Sequence, residues 1–173
     1  MEDKKSKIYK FGRLSKETNE ELEWIVIDEN RKQMLLISVN SFGNDNAEFL
    51  ENYLLSGEIA KHFSSEELQR IEEVRLLTKE EYEEYKDVVD LKAPYSYYLE
   101  KKADCGCMAY YEIVSRIKAK SMTEVVNCFD DTFKIIAYFD SEGHFEKATY
   151  DEDKNFEEAQ WNYAIRPVLV INK

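Results

Sequence analysis

The chain has 173 residues, of which 43% are hydrophobic and 13% aromatic, so it can bury a core as a single domain over residues 1–173. It contains no run of about 18 apolar residues and opens without an apolar signal segment, which excludes a transmembrane helix and predicts a soluble, cytoplasmic protein. The formal net charge of −12 excludes nucleic acid and membrane surfaces as partners and favours a protein partner with a basic face.

The acidic charge is spread unevenly along the chain. Residues 1–16 hold six Lys or Arg against two acidic residues, whereas the remainder holds 18 basic and 34 acidic residues. This acidity either keeps the domain in solution or attracts a basic partner. The sequence leaves both roles open.

The first predicted elements form a β-hairpin. In LEWIVIDENRKQMLLISV, apolar residues alternate over 24–28, DEN forms the turn, and 33–39 is the return strand. Because the return strand is almost continuously apolar, we expect it to lie inside a sheet rather than at its edge.

Helices are predicted next in the chain. One apolar helical face follows Asn46 over residues 49–54, and a later one joins Leu68 to Ile71. Ser64 with Glu67, and Thr78 with Glu81, each match a capping box, so a helix should begin at each pair. VRLL (74–77) reads as a short strand between these two helices. In the second helix, Tyr82, Tyr85 and Val89 are predicted to form an apolar stripe. The solvated face comprises Glu80, Glu81, Glu83 and Glu84.

The middle of the chain has the least regular pattern. Residues 97–102 resemble a helical turn, whereas 109–117 alternate like a strand. Tyrosines concentrate in this irregular region, where they either cap a core or form a recognition surface on loops.

The last part of the chain returns to strands. A second hairpin is predicted in TFKIIAYFDSEGHFEKATY, and an apolar strand closes the chain at 165–171. The order strand, helix, strand predicts an α+β fold with one mixed or antiparallel sheet that includes 24–28, 33–39, 133–139 and 165–171. Trp24 and Leu169 should be buried, and Pro167 should lie at an edge or begin a strand because it cannot donate to the ladder.

Four segments in order resemble the signature strands of an uncharacterised bacterial domain family. They are EWIVI (23–27), LLIS (35–38), LLTKEE (76–81) and IRPVL (165–169), and together they cover nearly the whole chain. The family's W-W-L-R-S strand corresponds here to YYEIVSR (110–116), which lacks the tryptophans. The family's closing strand also resembles that of C-type-lectin-like and formylglycine-generating-enzyme-like folds. The resemblance implies a mixed fold with long loops that serves as a scaffold for binding, and it assigns no ligand.

Metal and cofactor sites are not predicted. Cys105, Cys107, Cys128 and His144 are possible zinc ligands by type, but Cys-x-Cys spacing is uncommon in such sites and the other two residues are remote. Asp151, Asp153 and Asn155 match the first positions of a calcium loop, but Phe156 occupies the position that requires Gly. The only histidines are His62 and His144, and no catalytic motif accompanies them. We therefore expect no enzyme and no cofactor.

The predicted function is a non-enzymatic binding domain that contacts a protein or a small polar ligand through tyrosine-rich loops. The alternative is an acidic inhibitor, such as an immunity protein or nucleic-acid mimic, that occupies a basic site on its partner. Arg166 either contacts the ligand or holds the fold through an ion pair with a carboxylate. The predicted binding residues are Tyr95, Tyr97, Tyr98, Tyr110, Tyr111, Trp161 and Arg166.

Overall fold

Strands dominate the part of the chain that the structure describes. The computed structural model describes residues 6–14, 19–44, 53, 58–87, 95–104, 108–118, 123–130, 133–139, 145–149 and 163–173. The strands in these ranges are β1 (Ile8–Arg13), β2 (Glu21–Glu29), β3 (Gln33–Ser38), β4 (Ser41–Asn44), β5 (Ile71–Leu76), β6 (Tyr95–Asp104), β7 (Met108–Lys118), β8 (Thr123–Asp130), β9 (Phe133–Phe139), β10 (Phe145–Thr149), β11 (Tyr163–Ile165) and β12 (Pro167–Asn172). The helices are a 3-10 helix (Glu58–His62), α1 (Ser65–Arg70) and α2 (Lys79–Tyr85).

Five of these strands form an antiparallel sheet in the order β1-β2-β3-β12-β5. Strand β12 lies inside this sheet, where Leu169 is opposite Leu36 on one side and Val74 on the other. Trp24 and Leu169 are both fully buried, as predicted. An antiparallel sheet with short helices corresponds to an α+β or mostly β architecture, with more strand than helix.

The β2–β3 hairpin forms because Asn30 shapes its turn. The Asn30 side-chain oxygen accepts hydrogen bonds from the amides of Lys32 and Gln33, at 2.8 and 3.0 Å. Asparagine favours turns because its side chain can replace a main-chain acceptor in this way. The predicted hairpin is confirmed at both strands.

The remaining strands form a second, mixed sheet in the order β10-β9-β8-β11-β4-β6-β7. Strand β4 runs parallel to β6, and β11 runs parallel to β8. The predicted hairpin of β9 and β10 is confirmed, but its placement beside the first hairpin is wrong, since β9 pairs with β8 and β10. Hydrophobic alternation shows that a strand exists, whereas long-range pairing determines its neighbours.

Two neighbouring segments connect the two sheets side by side and run in opposite directions. Residues 33–44 leave β3 for β4, and residues 163–172 run antiparallel beside them from β11 to β12. Ile37 is opposite Val168 in the first sheet, and Phe42 is opposite Ile165 in the second. We call the region where both segments change sheets, residues 38–41 and Arg166, the sheet crossing.

Both faces of the first sheet are covered. On one face, α2 and Leu77 pack through Tyr82 against Ile25, Ile37 and Val168. On the other face, one buried cluster contains residues of both sheets and of the region around the 3-10 helix. The first sheet contributes Trp24, Leu36 and Leu169, the second sheet contributes Phe42, Tyr97 and Ile165, and the helix region contributes Tyr53, Ile59 and Phe63. The two sheets therefore share a core.

Both helix starts occur where the capping boxes predicted them. Ser64 and Glu67 exchange capping hydrogen bonds at α1, and Thr78 and Glu81 do so at α2. The apolar face predicted for α1 is wrong, because the helix ends at Arg70, Leu68 is 40% exposed, and residue 71 begins β5. The helical face predicted over 49–54 lies outside the described residues except for Tyr53, which is buried.

Candidate functional site

Arg166 lies between β11 and β12, and its side chain is enclosed at the sheet crossing. The guanidinium donates from Nε and Nη2 to the carbonyl oxygen of Ser38, at 3.1 and 2.8 Å, and from Nη2 to that of Val39 at 3.5 Å. Arginine suits this position because its planar fork can bind one acceptor through two nitrogens. Only 1% of Arg166 is exposed, which favours a fold-holding role, although the partners described are carbonyls and not the predicted carboxylate.

The sheet crossing also brings Tyr97 towards Arg166. Asn40 donates from Nδ2 to the Tyr97 hydroxyl at 2.9 Å, and the Ser41 hydroxyl donates to the carbonyl of Tyr95 at 3.4 Å. Two of the predicted site residues, Tyr97 and Arg166, thus contact the same short segment. The polar residues of this segment and Arg166 are all at least nine-tenths buried. Buried polar groups of this kind connect strands through hydrogen bonds and are not accessible to a binding partner.

The expectation of a tyrosine-rich loop is corrected for β6. Residues 97–102 form part of this strand rather than a helical turn, and Tyr97 is buried with its ring centroid 5.4 Å from that of Phe42. Tyr95 is 36% exposed at the start of the same strand. The helical interpretation failed here because pairing of β6 with β4 and β7, which no local pattern reveals, determined the strand.

The other predicted binding residues are placed only in part. Tyr98 pairs with Ser115 across β6 and β7, and Tyr110 and Tyr111 pair with Lys102 and Lys101. The side chains at these strand positions and all of Trp161 lie outside the described residues.

The candidate metal ligands are likewise largely outside the described residues. These are Cys105, Cys107, His144, Asp151, Asp153 and Asn155. Cys128 of β8 is placed only by its pairing with Ile135 of β9. Over the ranges that the structure does describe, no three His, Cys, Asp or Glu side chains gather as a metal site would require. Over the same ranges, no helix has both the length and the apolar character to cross a membrane.

His62 ends the 3-10 helix and is engaged at both ring nitrogens. Its Nδ1 lies 3.0 Å from the carbonyl oxygens of Arg13 and Leu14, and its Nε2 is hydrogen-bonded to the Tyr53 hydroxyl. Burial lowers the pKa of His62, although the two carbonyls act in the opposite direction. Its hydrogen-bond partners belong to the end of β1 and to Tyr53.

A set of exposed carboxylates lies on the outer side of α2. Glu80, Glu84 and Asp87 recur at i, i+4 and i+7, so they follow one side of the helix and the turn after it. With Asp28 of β2 they form what we call the acidic stripe. Unlike Glu81 and Glu83, which pair with Arg75 and Lys86, these four acids make no ion pair with a described basic residue.

Tyr85 lies near two of these carboxylates, Asp28 and Glu84. Its ring is half-buried beside the Ile25–Ile37 face of the core. Burial, followed by the negative charges of Asp28 and Glu84, raises the pKa of its hydroxyl. The sequence had indicated only a solvated face on this helix; the i, i+4, i+7 spacing was the available signal, but the approach of Asp28 depends on tertiary packing.

No protein-family model matches this chain, and the chain matches neither a curated protein nor a solved structure. The site must therefore be interpreted from its own residues.

Proposed function

We propose that this protein is a non-enzymatic binding domain that docks a protein partner with a basic face on the acidic stripe. The observation that carries the proposal is the set of four exposed carboxylates that make no ion pair with a described basic residue, two of which, Asp28 and Glu84, lie near Tyr85. A lectin-like scaffold, which the resemblance of the sequence implies, forms part of the proposal because such scaffolds commonly serve binding.

The unpaired charges support docking in two ways. Carboxylates that are not held in an ion pair keep their attraction for an incoming basic surface, which accelerates association and selects against acidic partners. Tyr85 adds a large amphipathic ring beside Asp28 and Glu84, and such rings frequently dominate interface energies.

The helix that carries the stripe is firmly held. The Arg75 guanidinium binds both carboxylate oxygens of Glu81 at 2.7 Å, and the Thr78 capping box fixes the start of the helix. Tyr82 and Leu77 are buried against the first sheet. The stripe is therefore presented on an ordered surface, and binding requires little further loss of conformational entropy.

The tyrosine-rich strands form a secondary part of the proposal. Tyr95 is the member with a described exposed side chain. An acidic inhibitor that occupies a basic site would use the same stripe, and its affinity would fall more steeply with salt than that of a tyrosine-centred contact.

The test is a binding titration with a Lys- and Arg-rich peptide as a substitute for the basic partner. The variant Glu80→Gln/Glu84→Gln removes two charges from the stripe. We expect it to weaken peptide binding about tenfold, because each exposed ion pair contributes up to about 1 kcal/mol.

The matched control is Glu23→Gln/Glu66→Gln, which makes the same change in net charge at exposed positions outside the stripe. Glu66 and Glu80 are both the second residue of their helices, so effects on helix stability are balanced. The control should bind like the unmodified protein. Equal weakening in both variants would show that net charge alone drives binding, and the proposal would fail.

A further inference from the structure

His62 joins three separate parts of the chain at one point. It belongs to the 3-10 helix, its Nδ1 meets the carbonyls at the end of β1, and its Nε2 meets Tyr53. Gly12 permits this close approach, since a Cβ there would lie 2.6 Å from the Phe63 ring and 3.0 Å from the His62 carbonyl oxygen. We call this set of contacts the His62 clasp.

The contacts of the clasp determine the protonation state of the ring. The carbonyl oxygens of Arg13 and Leu14 can only accept, so Nδ1 must carry a hydrogen. In the neutral ring Nε2 is then an acceptor, and the Tyr53 hydroxyl donates to it. The clasp as described is complete with an uncharged imidazole.

A second proton on the ring would disturb this arrangement. Nε2 would become a donor, so the Tyr53 hydroxyl would have to turn and place its own hydrogen elsewhere. The new positive charge would also lie on a half-buried ring, which is partly removed from water. Burial accordingly lowers the pKa of His62, and the neighbouring Lys61 acts in the same direction.

The charged and titratable groups that face the clasp do not cancel such a charge. Burial raises the pKa of the Tyr53 hydroxyl, and the negative charge of the nearby Glu58 raises it further. The Glu58 carboxylate already forms an ion pair with Lys61. The Arg13 guanidinium turns away and donates to Asn19 at 3.2 Å. Among the residues that the structure describes, the charged and titratable groups on the elements that meet the imidazole are Tyr9, Lys10, Arg13, Tyr53, Glu58 and Lys61, and Glu67 of α1 accepts a hydrogen bond from the Gly12 amide nearby.

The clasp holds an aromatic cover on the first sheet. Phe63 follows His62 directly, and its ring centroid lies 5.4 Å from that of Phe11 and 6.3 Å from that of Trp24. Ile59 of the 3-10 helix is 1% exposed in the same cluster. Releasing the clasp would uncover Trp24, which has no exposure in the closed state.

We propose that the His62 clasp is a pH-sensitive latch, in which protonation of the imidazole loosens the 3-10 helix and Phe63 from the first sheet and uncovers an aromatic surface. The closed state is fully favoured above the pKa of an exposed histidine, about 6.5. It loses stability as the pH falls from there towards the lowered pKa of the closed state.

The test uses Trp24 as a reporter in a Trp161→Phe background, which leaves it as the chain's single tryptophan. Acrylamide quenching and far-UV circular dichroism are followed between about pH 8 and pH 5. We expect a several-fold rise in the quenching constant at the acid end with unchanged dichroism. A parallel loss of dichroism would show global unfolding and would overturn the latch.

Three variants assign the response. His62→Gln keeps a donor and an acceptor but cannot be protonated in this range, so its quenching should not change with pH. Tyr53→Phe removes the hydrogen bond that favours the neutral ring, so the quenching transition should move to higher pH. This variant tests the proposal independently if His62→Gln does not fold. His144→Gln, the control, should respond like the parent. The proposal would be contradicted if His144→Gln abolished the change in quenching with pH. It would also be contradicted if this change occurred at the same pH in Tyr53→Phe as in the parent.

Discussion

Arg166 and Pro167 divide the apolar end of the chain into two short strands that lie in different sheets. Pro167 begins β12, which satisfies the requirement that it occupy a first strand position. Arg166 falls between the strands and directs its guanidinium to the carbonyls of Ser38 and Val39. The sequence indicated a strand and an arginine that either holds the fold through an ion pair or contacts a ligand. It could not indicate a change of sheet, because that depends on residues more than a hundred positions away.

Replacing Arg166 should destabilise the fold strongly. Arg166→Met keeps a long apolar stem but leaves the enclosed carbonyl of Ser38 without its two donors. A buried acceptor left unpaired costs about 1–3 kcal/mol, so urea unfolding should show a loss of this size. Arg31→Met, at an exposed position, should change stability by less than about 0.5 kcal/mol. Similar losses in both variants would show that the crossing does not depend on Arg166.

At the scale of elements, local signals predicted what local interactions determine. The capping boxes and the β2–β3 hairpin rest on residues a few positions apart, and each was found where the sequence placed it. The pairing of β4 with β6 and of β8 with β11 was not predicted, since parallel neighbours are joined by long connections without a local signature. The acidic stripe was predictable along α2 but not at Asp28.

Glu67 connects α1 to β1 as well as capping its own helix. Its carboxylate accepts from the amides of Ser64 and Gly12, at 2.8 and 2.9 Å. Burial raises the pKa of Glu67, but these hydrogen bonds outweigh it and the net pKa is lowered. The resulting stability is present above the pKa of an unfolded glutamate, about 4.3, and is lost as the pH falls through the lower, folded value.

Glu67→Gln should therefore lower the thermal midpoint near neutral pH, because one amide oxygen cannot replace both carboxylate oxygens. We expect a loss of about 1 kcal/mol, or about 2–4 °C for a chain of this size. The difference should shrink below about pH 4. Glu66→Gln, at the neighbouring exposed position, is the control. A pH-independent difference would contradict the role of the Glu67 charge.

At the scale of the whole molecule, the last strand completes the first sheet. β12 is hydrogen-bonded to β3 and β5, and Val168, Leu169 and Ile171 are fully buried. The end of the chain is also tied down: Lys173 and Lys7 both bind the carboxylate of Glu29, and these contacts lower the pKa of that group to about 2.

Removal of residues 167–173 should therefore abolish cooperative unfolding rather than trim a tail. The deletion takes a strand from the interior of the first sheet and exposes the apolar residues that face it. Removal of Lys173 alone should leave a cooperative transition, because the Glu29 contact is solvent-exposed and such pairs contribute little. Circular dichroism during thermal unfolding measures both. A cooperative transition in the longer deletion would contradict this fold.

The claim that the acidic stripe docks a basic partner is tested most directly by amide chemical-shift mapping. The isotope-labelled protein is titrated with the Lys- and Arg-rich peptide at low salt. We predict that the largest shift changes fall on Asp28 and residues 79–87 and diminish between about 50 and 200 mM salt. Changes that are largest on β6 and β7, or that follow every exposed carboxylate equally, would contradict the stripe as the docking surface.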